Sequence, residues 1–505
     1  MSLNRRTLLG CTSLVMASNL IAQTTQDVPP PTPVAGTLSG FEPGVSKALA
    51  QYVARTQFED LPADVIEMTK RAILDALGVS MAAYALEPAC RPFHELALES
   101  GGSSQSTLIG SGKKTSAALA ALANGALAHA LDYEDSHEAS RTHPNAATVA
   151  AALATAEALG AVSGQRVITA VALGCDIVCR LGLAQIEAPG AAPHRAFYRP
   201  AILSTFGAVT AAASLLQLTT EQTLDAFSLA LCQNSCSGEI LNSPDSHIRA
   251  VREGMCAQTG VVSALLAKKG VRGFELPFEG AQGYFAMYWG GRRDDRALLA
   301  NLGRQFAGRD VAFKPWPSCR DTHLYIQAAL ELQSRANIDV TTIARIEAPV
   351  AQRNLIICEP VASKKTPRTA IDAKFSLYFT VATALLHRQV NLSSFTDAAL
   401  QAAPVLECAA KVNYRLDPLV ARPLDEGGGT VLEVTTKDGA VHRQSVPRLA
   451  GSLTNPMGAA ELVDKFIDCG LHARESRSRE ELRDLSAQLL ALETLADIGT
   501  VMQRV

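Results

Sequence analysis

The chain has 505 residues, of which 48% are apolar and 19% charged, with 35 glycines and a net charge of −3. This composition excludes disordered and fibrous classes and is large enough for two domains with a substantial core. With 46 basic against 49 acidic residues and no basic stripe, nucleic acid is excluded as a partner.

In chain order, the first feature is the pair Arg5-Arg6 directly before the moderately apolar run Leu8–Ala22. That arrangement is the pattern of a twin-arginine export signal. Gln23–Thr37 follows as a polar, proline-rich linker without periodicity. Residues 1–37 are therefore read as export signal and linker, with a periplasmic destination, the cytoplasm as the alternative, and no membrane partner beyond the export machinery. No other stretch is long and apolar enough to span a bilayer. The 11 cysteines include no CxxC pair. Cys175 with Cys179, and Cys232 with Cys236, lie four apart in apolar helical sequence and read as small core residues rather than as a metal or disulfide framework.

From Gly44 to about Arg309 the apolar spacing predicts helices at Ala48–Thr56, Pro62–Tyr84, Ser116–Ala130, Ala146–Leu159, Gln165–Leu183, Thr205–Leu216, Gln222–Cys236 and Gly254–Lys268. Glu187–Pro200, with three prolines and His194, Arg195, Tyr198 and Arg199, reads as a loop reaching toward an active region. Near Phe313 the texture changes. Lys314–Arg320 is a stiff, proline-containing connection, Thr322–Ser334 a helix, and Ile343–Val350 a strand. Thr430–Thr436 and Ala440–Val446, joined by Lys437-Asp438-Gly439, form a hairpin. Ala459–Asp468 and Arg479–Met502 return to helix. The fold class is thus mainly α: a large all-helical domain over 38–311, completed by 452–505, with an inserted smaller α+β lid domain over 312–451.

The stretch between the two alanine-rich helices, Asn124 to Thr148, gathers His129, Asp132, Glu134, Asp135, Ser136, His137, Glu138, Arg141 and His143. A dense ionisable loop on a rigid apolar support suits chemistry better than a mere connection. Asp132 follows Ala128, Ala130 and Leu131, which puts it near the interior, where a carboxylate needs a partner. Pro144 pushes His143 out of the helical region and fixes it just before the next helix. His137 and His143 with Asp132 and Asp135 offer metal ligands, but no HxxxH or His-x-His spacing supports them, so no metal is assigned.

The run Asn124 to Asp132, then Asp135-Ser136 and His143-Pro144, Leu173-Gly174-Cys175 through Arg180-Leu181-Gly182, Lys314–Arg320, Asp372–Leu377 and Asn455-Pro456-Met457 resembles the MmgE/PrpD family. The likeness runs from about Gly44 to the C-terminus. That family includes 2-methylcitrate dehydratase, cis-aconitate decarboxylase and an iminodisuccinate epimerase. It implies a helical domain with a lid, a homodimer, no metal or organic cofactor, and a site between the domains. Its acid/base and carboxylate-binding positions carry over as Asp132, Ser136, His143 and Lys314. At three positions the chain departs. The family's second histidine falls at Tyr198 or Arg199, its lysine at Arg249 with Arg252 replacing the associated histidine, and a tyrosine at Phe379 beside Tyr378.

Arginine binds and polarises but does not exchange protons near neutral pH, so these departures shrink the acid/base set and enlarge the anion-binding one. Arg195, Arg199, Arg249, Arg252 and Arg320 together read as an anion pocket. The expected function is a cofactor-independent lyase, a dehydratase or decarboxylase, acting on a small di- or tricarboxylic acid through a carboxylate-stabilised carbanion. His143 serves as acid/base, Asp132 orients, Lys314 and Arg249 clamp carboxylates, Tyr198 supplies a proton and Ser136 positions the substrate, with Arg199, Arg252 and Arg320 as further substrate-binding groups. An isomerase or epimerase using the same site, and a non-catalytic carboxylate binder, are the alternatives.

Overall fold

Small side chains let the helices of this protein approach closely, and that closeness fixes the architecture. In the computed structural model, residues 41, 43–188, 196–243, 246–421, 429, 431–474 and 476–505 are described. The expected export signal and linker lie outside these residues, as do His194 and Arg195. The chain is mainly α-helical, with one four-stranded sheet and a two-residue ladder between Ser106–Thr107 and Lys114–Thr115.

The longer helices of the first part are α1 Val45–Arg55, α2 Ala63–Leu86, α3 Ala117–Ala130, α4 Ala146–Leu159, α5 Gly164–Leu183, α6 Arg199–Leu215, α7 Thr220–Gln233 and α8 Glu253–Lys268. Helices α3 and α4 are apolar on all sides and accordingly buried on nearly all sides, packed with α6 and α8. The α3–α8 crossing depends on two glycines. A Cβ on Gly125 would lie 2.8 Å from the Glu253 carbonyl oxygen, and one on Gly254 2.3 Å from that of Leu122. This contact brings the C-terminal end of α3, with His129, against Arg252 at the start of α8.

The strands are β1 Ile343–Val350, β2 Val412–Leu416, β3 Val431–Thr436 and β4 Val441–Ser445, in the order β2-β1-β3-β4. Strand β1 runs parallel to β2 and antiparallel to β3, and β3–β4 is the expected hairpin. Helices α9 Arg320–Ala336 and α10 Leu377–His387 pack together, and each contacts strands of the sheet. The C-terminal helices are α11 Ala459–Leu471 and α12 Arg479–Leu490. Lys465 on α11 is buried and ties three distant segments together: its Nζ lies 2.7 Å from Asp75 on α2, and donates to the carbonyls of Tyr133 at 2.6 Å and Lys314 at 3.0 Å.

Two local expectations are corrected, and one strand was not expected. Helix α6 begins at Arg199 rather than Thr205, because Pro200 fits a first helical turn and Tyr198 serves as N-cap. The loop thus ends before Arg199. The expected single helix Arg479–Met502 is broken after Leu490, where the chain turns to donate from Gly164 to Leu495 and from Ile498 to Val162. Strand β2, short and half polar, lies at the sheet edge, where alternation is weak. Among the described residues no single helix is long and apolar enough to cross a membrane, and the described cysteines are all free thiols.

Candidate active site

The site begins where α3 stops. Asp132 takes a left-handed backbone (φ 50°), one of the few conformations an aspartate tolerates better than most residues, and its N–H donates to the His129 carbonyl at 2.8 Å. This turn reverses the chain and sends the Asp132 side chain inward. There Lys314 Nζ donates to both Asp132 Oδ1 and the Asp132 carbonyl, each at 2.8 Å, with both side chains fully buried. The opposed N–H and C=O groups of Ser136 and Ala312 hold the loop to the segment that carries Lys314.

Burial alone would raise the Asp132 carboxyl, but Lys314, with His129 and His143, overcomes it and holds the group below the usual carboxylate range. Lys314 is likewise kept charged, since Asp132 and Glu134 outweigh its desolvation.

A second buried line runs beside this pair. Glu134 accepts from His129 Nδ1, and His129 Nε2 lies 2.5 Å from Arg252 Nη1. A guanidinium only donates, so Nε2 must be the acceptor and the His129 proton sits on Nδ1, facing Glu134. Burial, then Arg252, keeps His129 neutral. Arg252 Nε is 3.3 Å from Glu253, whose carboxyl burial pushes up to about 7 against the pull of Arg252.

His143 is the histidine that meets the cleft. Its Nδ1 lies 2.9 Å from the Asp135 carbonyl, which fixes that nitrogen as the protonated one and leaves Nε2 with its lone pair. Its ring is 5.2 Å from that of His129, and Glu134 Oε1 is 3.3 Å from Nδ1. Burial first, and then Lys314, press His143 down to about 3. Asp135, bonded by Asn145 Nδ2 at 2.8 Å, is pushed by burial up to about 8 and is therefore a neutral acid near pH 7.

Beside these groups lies a cleft of about 750 Å³. Asp132, Ser136, His143, Tyr198, Arg199, Arg249 and Arg320 line it together with residues of the sheet-bearing segment, such as Arg353 and Phe375. Ser136 Oγ is buried there without a hydrogen-bond partner among the described residues. The Tyr198 ring is flanked by two guanidiniums, Arg252 at 4.7 Å and Arg249 at 5.3 Å.

The expected anion pocket is smaller than the arginine count suggests. Arg320 is held by Glu138 Oε1 at 2.9 Å and by the Ala450 carbonyl, and Arg199 donates to the Ser140 carbonyl at 3.0 Å and to Gln185. Arg252 stands behind the cleft wall on His129 and Glu253. Lys314 is enclosed behind Asp132 and does not line the cleft, which corrects its role as a direct carboxylate clamp. Arg249 remains: its guanidinium lies 3.7 Å from the Phe375 ring centre, and among the described residues it has no hydrogen-bonded or ionic side-chain partner. Phe379 and Tyr378 are buried off the cleft, the latter donating to the Cys358 carbonyl.

Sequence reasoning missed Glu134 and His129 as a coupled pair, and Lys465 as a brace. His129, Asp132 and Glu134 also present ligand atoms within 4.8 Å of one another, a different trio from the one weighed in the sequence. Their charge is already met inside the chain by Lys314 and Arg252, so a metal would have to displace two bound cations. His137 is turned away onto Ser140, Nδ1 to Oγ at 2.8 Å.

A model of the MmgE/PrpD N-terminal domain matches residues 47–297, and one of the MmgE/PrpD C-terminal domain matches residues 316–489. Relatives include a cis-aconitate decarboxylase of Mus musculus, 24% identical over 467 residues, 90% of this chain and 92% of that protein. Another, of Homo sapiens, is 25% identical over 450 residues, covering 86% and 89% of the two chains. A third, of Aspergillus terreus, is 22% identical over 486 residues, covering 92% and 96%. The chain belongs to the MmgE/PrpD family.

Proposed function

We propose that this member of the MmgE/PrpD family is a lyase that decarboxylates a small di- or tricarboxylic acid through a carboxylate-stabilised carbanion, using only its own side chains. The observation that carries the reading is His143: a cleft-lining imidazole with Nδ1 fixed on a backbone carbonyl, beside a buried Asp132–Lys314 pair. The relatives' activity favours decarboxylation over loss of water.

In the empty cleft His143 carries no proton on Nε2. An anionic substrate adds negative charge beside the ring and opposes the effect of Lys314, so the imidazole takes up a proton from solvent. The carbon–carbon bond to the departing carboxylate then breaks. Its electron pair stays on the substrate carbon, delocalised toward a neighbouring carboxyl group, and that carbon takes the proton from His143 as carbon dioxide leaves. Solvent restores the proton. The Ser136 hydroxyl, without a hydrogen-bond partner among the described residues, faces the developing charge, and Tyr198 supplies a further donor. Asp132 keeps Lys314 in place and adds a fixed charge at the cleft wall.

The test is proton NMR in deuterated buffer of the full chain with a panel of small di- and tricarboxylates. Loss of a carboxyl group with one deuterium in its place supports the reading. New olefinic signals with release of water, or exchange of one carbon-bound proton without other change, would replace it by dehydration or by epimerisation respectively.

The family resemblance further supports a homodimer, tested by light scattering. The Arg5-Arg6 pattern supports export, tested by whether Arg5→Lys with Arg6→Lys retains the protein in the cytoplasm.

A further inference from the structure

The cleft continues beyond Arg249. Leu241, Asn242, Ile356 and Phe375, together with Arg249, line both the main cleft and a side cavity of about 20 Å³ whose wall includes Lys364 and Asp372. That space holds one or two water-sized groups, enough for a single carboxylate head and too little for a longer chain.

Two cations share this annex. Arg249 and Lys364 are each 8% exposed, and both lie near the same Phe375 ring, with Lys364 Nζ 6.0 Å from its centre. Among the described residues neither makes an ion pair or a side-chain hydrogen bond, and Arg249 Nε is a buried donor without a partner. Asp372, the acid on the annex wall, accepts instead from Thr369 Oγ1 at 2.9 Å. Burial, and then Arg249, push the Lys364 ammonium down to about 8, and Asp372 on the annex wall opposes them only in part. Two buried, unpaired cations are unfavourable in the empty protein and become favourable once an anion enters.

We infer that Arg249 and Lys364 form a distal anion subsite that holds a second carboxylate of the substrate while the reacting end lies at His143. The inference rests on reading the cleft as a carboxylate lyase site and adds to it a specificity residue, Lys364, at the carboxylate remote from the reacting carbon. Lys364 would then set specificity rather than take part in bond breaking.

The experiment is calorimetric titration of the full chain, as wild type, Lys364→Met and Lys364→Arg, with three probes: propane-1,2,3-tricarboxylate, butyrate and inorganic phosphate. Loss of one charge-assisted contact is expected to weaken tricarboxylate binding about tenfold or more in Lys364→Met, and Lys364→Arg should retain most of it. Butyrate, with one carboxyl group, should be unaffected by either change. The ligand-free Lys364→Met protein should melt no lower than wild type, because the change relieves repulsion, whereas a merely structural lysine would lower the melting point and leave affinity alone. If Lys364→Met does not fold, Lys364→Gln makes the same comparison.

Unchanged tricarboxylate affinity in the variant overturns the inference, as does failure of wild type to bind that probe. Loss of phosphate binding with tricarboxylate binding intact also overturns it, by pointing to an independent anion site. Because the readout is binding, absence of turnover would count against the lyase reading without deciding this one.

Discussion

Replacing Lys314 by Met keeps the length of the side chain and removes its charge. In the folded protein Asp132 then loses the Nζ donor at 2.8 Å and remains fully buried, with the ammonium that offset its desolvation gone. Breaking a buried pair by deleting one partner typically costs about 3–5 kcal/mol. The pH dependence gives the sign. In wild type the Asp132 carboxyl is held below its unfolded value, so its contribution is present above an unfolded pKa of about 4 and is lost as pH falls below that. In Lys314→Met the largest influence opposing burial is gone and burial raises the folded pKa, so the variant loses stability as pH rises above about 4. The deficit relative to wild type should therefore be larger at pH 7 than near pH 4, because over that range the wild-type contribution is constant while the variant's falls. Urea unfolding at the two pH values measures it. Adding Asp132→Asn, which tolerates the left-handed backbone and carries no charge, should restore most of the loss. An equal deficit at both pH values, with no rescue by the second change, would refute the reasoning.

His143→Gln keeps a polar side chain of similar reach without a group that shuttles protons near neutrality; turnover should fall roughly 10²- to 10⁴-fold with the melting point little changed, measured by steady-state kinetics and calorimetry. Asp135, pushed up to about 8, makes the folded state bind a proton that the unfolded state releases near pH 4, so stability should decline between about pH 4 and pH 8. Asp135→Asn should flatten that slope, and an unchanged slope would count against it. Chelator treatment should leave activity intact, because Lys314 and Arg252 already meet the charge of the His129, Asp132 and Glu134 trio. Loss of activity restored by one added metal would reverse that assignment.

Local signals in the sequence were enough for the helical texture, the hairpin and the loop carrying Asp132, Ser136 and His143, because apolar spacing and a histidine–proline pair act within a few residues. Partners supplied from far away were not legible. Arg320 reads as an anion binder until Glu138 arrives across 182 positions, and Lys314 reads as a clamp until Asp132 arrives across the same span. The Glu134–His129 pair is close in sequence, yet its proton arrangement is set by Arg252, 123 positions on. Lys364, in a Lys364-Lys365 dipeptide between prolines, carries no signal of a site in the sequence; its place beside Phe375 and Arg249 shows only in the fold.

The distribution of charge around the cleft joins these points. Asp132 balances Lys314, Glu138 balances Arg320, and the Glu134–His129–Arg252–Glu253 line closes on itself, so among the described residues the cations of this centre without an ion pair or side-chain hydrogen bond are Arg249 and Lys364. The paired groups cluster around His143, and the unpaired ones stand in and beside the annex. Such a division separates two requirements that conflict when met by the same residue. The reacting end needs a field that leaves the imidazole neutral until an anion comes, whereas the holding end needs positive charge that the protein itself has not cancelled. Substituting a neutral residue at either unpaired cation should therefore act mainly on binding, and substituting one member of a balanced pair mainly on stability and on the proton chemistry of His143.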